Sequence, residues 1–475
     1  MNQAVWDLKS QFDQYKDSKV FDCRLAEFLL VEGRAVGTEE ETFKKYDVSL
    51  LEKLAEIQHS RLEAFPKLKS LFYEIEMPLI AVLWRMEQKG ILLDVSCLQA
   101  VGEELESAIG ALNKEIQKEV GFEINLNSSV QVGNFLAEKI MVPLSKTKTG
   151  RYATNEQELA KFSDQFPIIE KLLTYRELSK LRSTYVESLI SKGDEDHRIH
   201  TTYSQTAVNT GRLSSSNPNM QNIPVTSSFG IKIKSCFIAP MGRVLVSFDY
   251  SQQELRILAH LTKEETLIKA FNEGRDVHKI TASQLFKTDY EKVTKQQRSA
   301  AKTVNFGIIY GMSSYGLSQG LRIPGEEAKV FIDRFYATYP KIKTYYDSYL
   351  LEGQKNGFVE TLLGRRRYVF EYPQQKFIDN NMRRVLINYP IQGSAADLMK
   401  KAMVQINKEI VDKDPAVNLL LQIHDDLVFE VDDDEEKMKK FISHVSEIMC
   451  QVYPLSVPIE VDIKIGEKWG EMERI

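Results

Sequence analysis

Residues 243–261 read RVLVSFDYSQQELRILAHL. The apolar and β-branched run Arg243–Tyr250 predicts a strand, and Gln253–Leu261 follows it with the spacing of an amphipathic helix. Asp249 is therefore expected at the end of a strand. Two interpretations of this acid stay open, because it could cap the start of the helix or bind a metal ion.

Two further acids stand between two apolar segments later in the sequence. Leu419–Ile423 and Leu427–Val431 flank the triplet HDD at 424–426, which predicts a β-hairpin with both carboxylates at its turn. Considered without Asp249, the two acids also suit an ordinary hairpin turn. Because carboxylates repel one another, bringing this turn close to Asp249 would require a cation. Oxygen ligands suit Mg²⁺, and two such ions can activate an attacking hydroxyl and stabilise a leaving pyrophosphate.

A third segment carries cations and aromatic rings at helical spacing. Arg298, Lys302, Phe306 and Tyr310 recur every four residues and so lie along one side of a helix. The two cations could hold a triphosphate while the rings pack against a base or sugar. The alternative is an amphipathic helix with solvated cations and core rings, and the spacing favours neither.

The composition is that of a folded chain of several subdomains, with 43% hydrophobic and 27% charged residues. No apolar stretch approaches the roughly 20 residues of a membrane helix and no signal pattern is present, so we expect a cytoplasmic protein without a membrane partner. The cysteines lack C-x-x-C spacing, which argues against a zinc site or a disulfide framework, and we expect them to be reduced and buried. They are Cys23, Cys97, Cys236 and Cys450.

The net charge of −5 does not indicate a polyanionic partner, so that argument depends on local basic clusters. For any single cluster a solvated surface is the simpler interpretation. The clusters are Lys146 with Lys148, Lys232 with Lys234, Arg365–Arg367, Arg383 with Arg384, and Lys400 with Lys401.

Helical patterns dominate Asp47–Gly121, with a break at Pro66, and return over Glu156–Ile190. Asn209–Pro224 is crowded with Ser, Asn, Gly and Pro, which excludes a regular element. A loop of this length is usually functional.

Three segments together closely resemble motifs A, B and C of family A DNA polymerases, the bacterial polymerase I type. They are DYSQQELR at 249–256, Arg298 and Lys302 leading into NFGIIYG at 305–311, and QIHDD at 422–426. The likeness continues through Ile75–Asp94, Asn125–Leu159, Tyr175–Tyr185, Thr210–Pro224 and Arg383–Asp397. Motifs in this order and separation are highly specific.

The resemblance implies an α+β fold shaped like a right hand, with an antiparallel palm sheet and helical fingers and thumb. The palm would comprise residues 75–97, residues 205–265 with motif A and residues 381–475 with motif C. The thumb would comprise residues 98–204, and the fingers would comprise residues 266–380 with motif B. Residues 1–74 faintly resemble the end of a proofreading exonuclease domain, at Phe21–Leu30 and Tyr46–Ile57. They lack a D-x-E strand, so we expect neither proofreading nor 5′ nuclease activity.

By the same likeness, Asp249 and Asp425 would bind two Mg²⁺ ions, or Mn²⁺ in their place, together with the backbone carbonyl of Tyr250. Asp426 would be a further catalytic carboxylate, although the family usually has Glu there. Lys302 would act as general acid toward pyrophosphate. The expected partners of this monomer are primer-template DNA and dNTPs.

The resemblance also implies a nucleotide-binding set. Arg298, Lys302 and His278 would contact the triphosphate, and Gln252 would lie near the nucleotide and the primer end. Glu254 would be the steric gate that excludes a ribose 2′-hydroxyl. Phe306, rather than Tyr, implies poor use of dideoxynucleotides, and Tyr310 would shape the insertion site. Gln253 replaces the family's usual Ile.

A duplex-contacting set follows in the same way, and it would check the shape of the minor groove rather than its sequence. It comprises Arg212, Asn222, Arg384, Asn388, Gln392 and His424. Thr226 stands where the family commonly has Arg. Two other functions stay open: a single-subunit phage-type RNA polymerase, which Glu254 argues against, and a non-catalytic primer-template binding factor, which would not need Asp249, Asp425 and Lys302 together.

Overall fold

The computed structural model describes residues 3–16, 18–31, 36–224, 227–370 and 378–475. The first of its elements form a helical layer around a two-stranded parallel sheet, with a core that includes Phe28, Leu54 and Phe72. These elements are β1 (Ala4–Val5), α1 (Phe12–Tyr15), β2 (Phe21–Asp22), α2 (Cys23–Leu30), α3 (Glu39–Tyr46), α4 (Leu51–Glu63) and α5 (Pro66–Ser70). That residues 1–74 are an exonuclease remnant stays a prediction.

The next elements are α6 (Met77–Lys89), β3 (Ile91–Leu93), α7 (Val95–Val120), α8 (Ser129–Asn134), α9 (Glu156–Ala160), α10 (Pro167–Leu181), α11 (Ser188–Lys192) and β4 (Arg198–Ile199). Of these, α7, α8, α9 and α10 form a helical group that packs around Ile116, Leu136, Leu159 and Ile169. Leu71–Glu76, Phe135–Lys139 and Arg182–Glu187 are π-helical turns in continuity with these helices.

The predicted helical run Glu156–Ile190 is interrupted between α9 and α10. Pro167 occupies the first turn of α10, and Phe166 before it is extended at φ −131°. A proline disfavours helical geometry in the residue that precedes it, so the helix cannot run through this point.

The middle of the chain carries the predicted strand and the helices that follow it. These elements are β5 (Thr202–Ser204), β6 (Ser214–Ser216), α12 (Ser228–Ser235), β7 (Phe237–Ile238), β8 (Arg243–Tyr250), α13 (Gln253–Thr262), α14 (Glu265–Asn272), α15 (Val277–Phe286), α16 (Lys295–Ile309), α17 (Ser314–Leu321), α18 (Gly325–Thr338) and α19 (Pro340–Asn356). The expectation that Asn209–Pro224 contains no regular element is wrong for two three-residue stretches, since β6 pairs with β5 and Met220–Asn222 forms one 3₁₀ turn.

The remaining elements are β9 (Phe358–Glu360), β10 (Arg366–Tyr368), α20 (Asn380–Ile406), β11 (Asn418–Ile423), β12 (Asp426–Asp432), α21 (Glu435–Gln451), β13 (Val461–Gly466) and β14 (Glu473–Arg474). They include the other four strands of the central sheet, while β9 and β10 pair with each other in a separate sheet. The central sheet has five antiparallel strands in the order β11, β12, β8, β13, β14, so the predicted hairpin lies directly beside the predicted strand.

Strand β8 is buried on both faces, which explains its nearly continuous apolar sequence. Val246 and Phe248 pack on one side with α13, α20 and α21, and Leu245 packs on the other with α7 and α12. Because side chains pack against both faces of β8, the strand cannot shift. The position of Asp249, which follows Phe248, is therefore fixed.

Two basic clusters contain buried rather than solvated side chains, which corrects the simpler interpretation of Arg365–Arg367 and of Lys400. Arg365 and Lys400 are 2% and 1% exposed. Both pair with Glu76, and Arg365 Nε also donates to Asp397 at 2.8 Å. Buried charges need such partners, and the partners come from distant parts of the chain.

The expectation that all four cysteines are reduced is wrong for two of them. Cys97 and Cys236 form a disulfide, with their Cα atoms 5.5 Å apart and 139 residues between them in sequence. Cys97 lies in the first turn of α7, and Cys236 follows α12 directly. The expectation failed because these residues have no recognisable spacing and meet only when the helices pack. Cys23 and Cys450 are free.

No helix in the described part of the chain is long and apolar enough to cross a membrane.

Removing this disulfide should lower the stability of the protein, because the crosslink restricts the unfolded chain over a long loop. We expect reductant to lower the free energy of unfolding of the wild type by about 2–4 kcal/mol, and Cys97→Ser to show the same loss without reductant. Denaturant unfolding with and without dithiothreitol measures this. Cys450→Ser is the matched control and should respond to reductant like the wild type. A wild-type midpoint that reductant does not move would contradict the crosslink.

Candidate active site

The sheet register brings the predicted acids together. Asp249 lies opposite Asp426 on β12, and the backbone N–H of Tyr250 donates to the carbonyl of Asp425 at 3.0 Å. On its other side, Asp249 lies opposite Asp462 on β13. Directly opposed residues of antiparallel strands present their side chains on the same face. Asp249 is a strand residue and Gln252 precedes α13, so the helix-cap interpretation of Asp249 is wrong.

The electrostatics of this cluster show that the acids are close and poorly hydrated. Burial, followed by the charges of Asp426 and Asp425, raises the pKa of Asp249 to about 7 against the opposing effect of Lys464. Burial also raises the pKa of Asp425 to about 6, although Arg212 acts against it. Repulsion of this kind is relieved by a cation.

Asp426 begins β12 instead of lying in the turn, and its surroundings differ from those of Asp425. Burial raises its pKa, while a hydrogen bond with Ser247 and the charges of Lys234 and Lys464 lower it. Its Oδ1 is buried and finds no hydrogen-bond partner among the described residues. A buried carboxylate oxygen without a partner, beside two other acids, fits the lining of a cation site.

The acids fit a metal site of the predicted kind, which relies on few protein ligands. Among the residues that the structure describes, no group of three or more His, Cys, Asp or Glu side chains is arranged to hold an ion unaided. The predicted set needs only Asp249, Asp425 and the carbonyl of Tyr250. Mg²⁺ commonly takes one or two carboxylates and completes its shell with water and phosphate oxygens.

Helix α16 carries the predicted cations and rings. Thr294 and Gln297 form a capping box at its start, with reciprocal bonds of 3.0 and 3.2 Å, which fixes where the helix begins. Lys302 is exposed and Arg298 is half-buried. Arg298 Nε donates to Asp276 at 2.6 Å. One cation is therefore free to meet a ligand, and the other is already held in place.

The rings of Phe306 and Tyr310 are half-buried. Their burial therefore does not decide between rings that belong to the core and rings that pack against a base or sugar. The ring centroids of Phe306 and Tyr310 lie 6.2 Å apart, and that of Phe306 lies 5.8 Å from His278. Gly311 follows with φ +65°, where an added Cβ would lie 2.7 Å from Arg384 Cγ. Glycine thus lets the chain turn beneath Tyr310 and pass close to α20.

His278 is held neutral by its surroundings. Burial lowers its pKa to about 4, with Arg298 and Lys302 acting in the same direction against Asp276. Its Nδ1 lies 2.9 Å from Nδ2 of Asn305 and accepts from that amide. The proton of the neutral ring therefore sits on Nε2, which suits donation to a phosphate oxygen.

Glu254 is the centre of a small polar group at the start of α13. Tyr310 Oη donates to its Oε2 and Arg212 Nη2 to its Oε1, both at 2.6 Å. The side chain is 4% exposed in its ion pair with Arg212. The predicted gate is therefore fixed at both oxygens.

Gln252 and Gln253 flank this gate differently. Gln252 adopts left-handed backbone geometry at φ +52°, which is costly for a residue other than glycine. Gln253 is 2% exposed, and neither polar atom of its amide has a hydrogen-bond partner within the described part of the chain. Nothing in the structure explains why this position carries an amide.

The predicted duplex-contacting residues border the site. Asn388 Nδ2 donates to the carbonyl of Tyr310 at 3.3 Å, and Arg384 and Gln392 lie on the same helix, α20. His424 is exposed at the hairpin turn with φ +54°. His424 and Asn222 line a cleft of about 1080 Å³ whose opposite wall is formed by α10 and α11. Thr226 lies outside the described residues.

Sequence reasoning missed two residues of this site. Asp462 became visible only through the register of β13, since it stands in an ordinary alternating strand. Asp276 carried no motif, although its position before a helix start was a signal for a capping residue.

Residues 95–471 match the model of DNA polymerase family A. The chain therefore belongs to that family, which is generally dependent on divalent metal ions. It is 45% identical to the thermostable DNA polymerase I of Thermus aquaticus over 428 residues, covering 89% of this chain and 51% of that protein. It is 41% identical to DNA polymerase I of Bacillus subtilis, covering 89% and 47%. The chain thus spans about half the length of these relatives.

A solved structure has the same architecture. The POL domain of Pol1 from M. smegmatis, in complex with DNA primer-template and dNTP, superposes with a TM-score of 0.91 at 33% identity. The match covers 98% of this chain and 86% of that one. The predicted fold class is confirmed, while the predicted domain boundaries stay predictions.

The neutral state of His278 should appear in the pH dependence of stability. Its folded pKa of about 4 lies below the unfolded value of 6.5, so the unfolded chain binds more protons between these values and stability falls as the pH falls. The titration of His278 alone should lower the free energy of unfolding by about 2 kcal/mol from pH 7 to pH 5. Comparing the wild type with His278→Gln by urea unfolding at both pH values tests this. His59→Gln is the control, because the side chain of this histidine is 39% exposed. An equal loss in the wild type and His278→Gln would contradict the assignment.

Proposed function

We propose that this chain is a DNA-directed DNA polymerase that adds dNTPs to a primer 3′-hydroxyl. The observation that carries the proposal is the meeting of Asp249 and Asp425 at the end of a rigid sheet, beside the cation-bearing helix α16. In the reaction, the primer hydroxyl gives up its proton to solvent water, and its oxygen forms a bond to the α-phosphate. The bond from that phosphorus to the bridging oxygen breaks, and pyrophosphate leaves.

Asp249, Asp425 and the carbonyl of Tyr250 would hold two Mg²⁺ ions, or Mn²⁺ in their place. When bound, these ions supply charge neutralisation to the attacking and leaving oxygens. The protein's own contribution is to keep the acids close together in a partly buried site, where their repulsion favours cation binding. We assign Asp426 a supporting role, because Ser247, Lys234 and Lys464 already surround it.

The groups on α15 and α16 would bind the triphosphate. Arg298 and Lys302 supply positive charge, and neutral His278 donates from Nε2 without adding charge. Lys302, which is exposed, would give a proton to the leaving pyrophosphate. Phe306, Tyr310 and Gln252 would surround the nucleotide, and the Phe306 ring, lacking a hydroxyl, would disfavour dideoxynucleotides.

Glu254 would exclude ribonucleotides. Its carboxylate cannot easily move aside, since Tyr310 and Arg212 hold both oxygens. The same Arg212 belongs to the set proposed to touch the duplex, with Asn222, Arg384, Asn388, Gln392 and His424. The RNA polymerase alternative is disfavoured by this fixed gate. The monomeric state, the cytoplasmic location and the absence of nuclease activity stay predictions.

Replacing either proposed metal ligand should abolish catalysis and leave the fold and DNA binding intact. Asp249→Ala and Asp425→Ala should each lower Mg²⁺-dependent extension by about 10³-fold or more, because the charge at the reacting phosphate is no longer neutralised. Extension of a labelled primer and binding of the same duplex by fluorescence anisotropy measure both effects. Asp433→Ala, an exposed acid just beyond β12, is the matched control. Turnover close to wild type in either variant rules out the assignment.

Removing the gate should admit ribonucleotides. Glu254→Ala should raise the relative kcat/KM for rNTPs over dNTPs by about ten- to a hundredfold, since the space for a 2′-hydroxyl opens. Tyr310→Phe keeps the carboxylate but removes one of its two bonds, and should give a smaller increase. Single-nucleotide incorporation with matched rNTP and dNTP pairs measures the ratio. A wild type that prefers rNTPs, or a ratio that Glu254→Ala leaves unchanged, would contradict the gate.

A further inference from the structure

Asp276 ties together two helices that face the proposed triphosphate site. It precedes α15, and its Oδ1 accepts from the backbone N–H groups of His278 at 2.9 Å and Lys279 at 3.1 Å. Its Oδ2 accepts from Nε of Arg298, on α16, at 2.6 Å. A single carboxylate thus caps one helix and holds a side chain of the next.

The bond to Arg298 uses the atom that is least needed for binding a phosphate. A guanidinium has five N–H donors, and the Nε bond leaves the donors of the two terminal nitrogens. Among the residues that the structure describes, no other carboxylate pairs with this guanidinium. The Arg298 side chain is 41% exposed, so without Asp276 it would sample many rotamers.

We propose that Asp276 is a positioning residue for nucleotide binding, which orders Arg298 before the triphosphate arrives. The inference rests on the proposed function, because it takes Arg298 to be a triphosphate ligand. Ordering a long side chain in advance removes about 0.5–1.5 kcal/mol of entropic cost from the binding step. The negative charge of Asp276 acts against an anionic ligand, so the benefit comes from geometry. If Asp276 acts only by ordering Arg298, replacing Asp276 should weaken nucleotide binding only while Arg298 is present.

Asp276→Asn separates this role from helix capping. Asparagine caps a helix about as well as aspartate, so α15 should keep its start. The amide cannot form the same charged bond with Arg298. We expect KM for dNTP to rise about threefold to tenfold with kcat little changed, as for loss of an interaction made equally in the ground and transition states. Asp276→Ser, which also caps but is too short to hold Arg298, should give the same increase.

A double-variant cycle is the deciding measurement. Arg298→Ala should raise KM, and adding Asp276→Asn to it should raise KM no further, because nothing remains to be ordered. Asp289→Asn is the matched control and should leave KM unchanged, because this exposed acid pairs with no residue but Lys292 among those that the structure describes. Thermal midpoints of all variants confirm that each is folded at the assay temperature.

The outcomes distinguish this inference from the proposed function. Primer extension that is absent in the wild type overturns both the proposed function and this inference. If the wild type extends the primer but Arg298→Ala leaves KM unchanged, the proposed function stands, while the triphosphate role of Arg298 and the positioning role of Asp276 are both wrong. If Arg298→Ala raises KM but Asp276→Asn does not, the positioning role alone is wrong. It is equally wrong if the effect of Asp276→Asn persists in full beside Arg298→Ala, since a purely structural cap would behave in that way.

Discussion

Repulsion between acids that the sheet register forces together is the constraint on which the site depends. Asp249 stands opposite Asp426 and Asp462, and Asp425 is tied to the same strand end through the N–H of Tyr250. Burial keeps water from screening these charges, which is why the pKa of Asp249 rises to about 7. The strand cannot relax the repulsion by moving, because helices cover it on both faces. The fold therefore stores an electrostatic cost that only protons or cations relieve.

Much of this arrangement could be predicted from the residues alone. The strand Arg243–Tyr250, the hairpin around 424–426 and the helix that carries Arg298 are all where their patterns put them. The patterns succeed here because a strand buried on both faces, a polar turn and a capped helix are each encoded by neighbouring residues in the sequence. The meeting of Asp249 with Asp425 was not local, and it came from the resemblance to a family.

What the sequence did not predict depends on packing between distant segments. Arg365 looked like part of a solvated cluster, yet its partners Glu76 and Asp397 lie far away along the chain and bury it. Cys97 and Cys236 meet only where α7 packs beside α12. No periodicity or spacing encodes such contacts, since each partner is an ordinary residue in its own segment.

The site consists of two halves with opposite charge. The acids lie on a strand buried from both sides, whereas the cations are side chains of a helix, with Lys302 exposed and Arg298 half-buried and held by Asp276. The first half holds like charges whose repulsion favours cations, and the second holds positive charges that attract an anionic ligand. In the proposed function, a metal-bound triphosphate would satisfy both at once, because its cations would meet the acids and its phosphates the helix. Such a ligand and the folded state would stabilise each other, since the unfolded chain holds neither half in place.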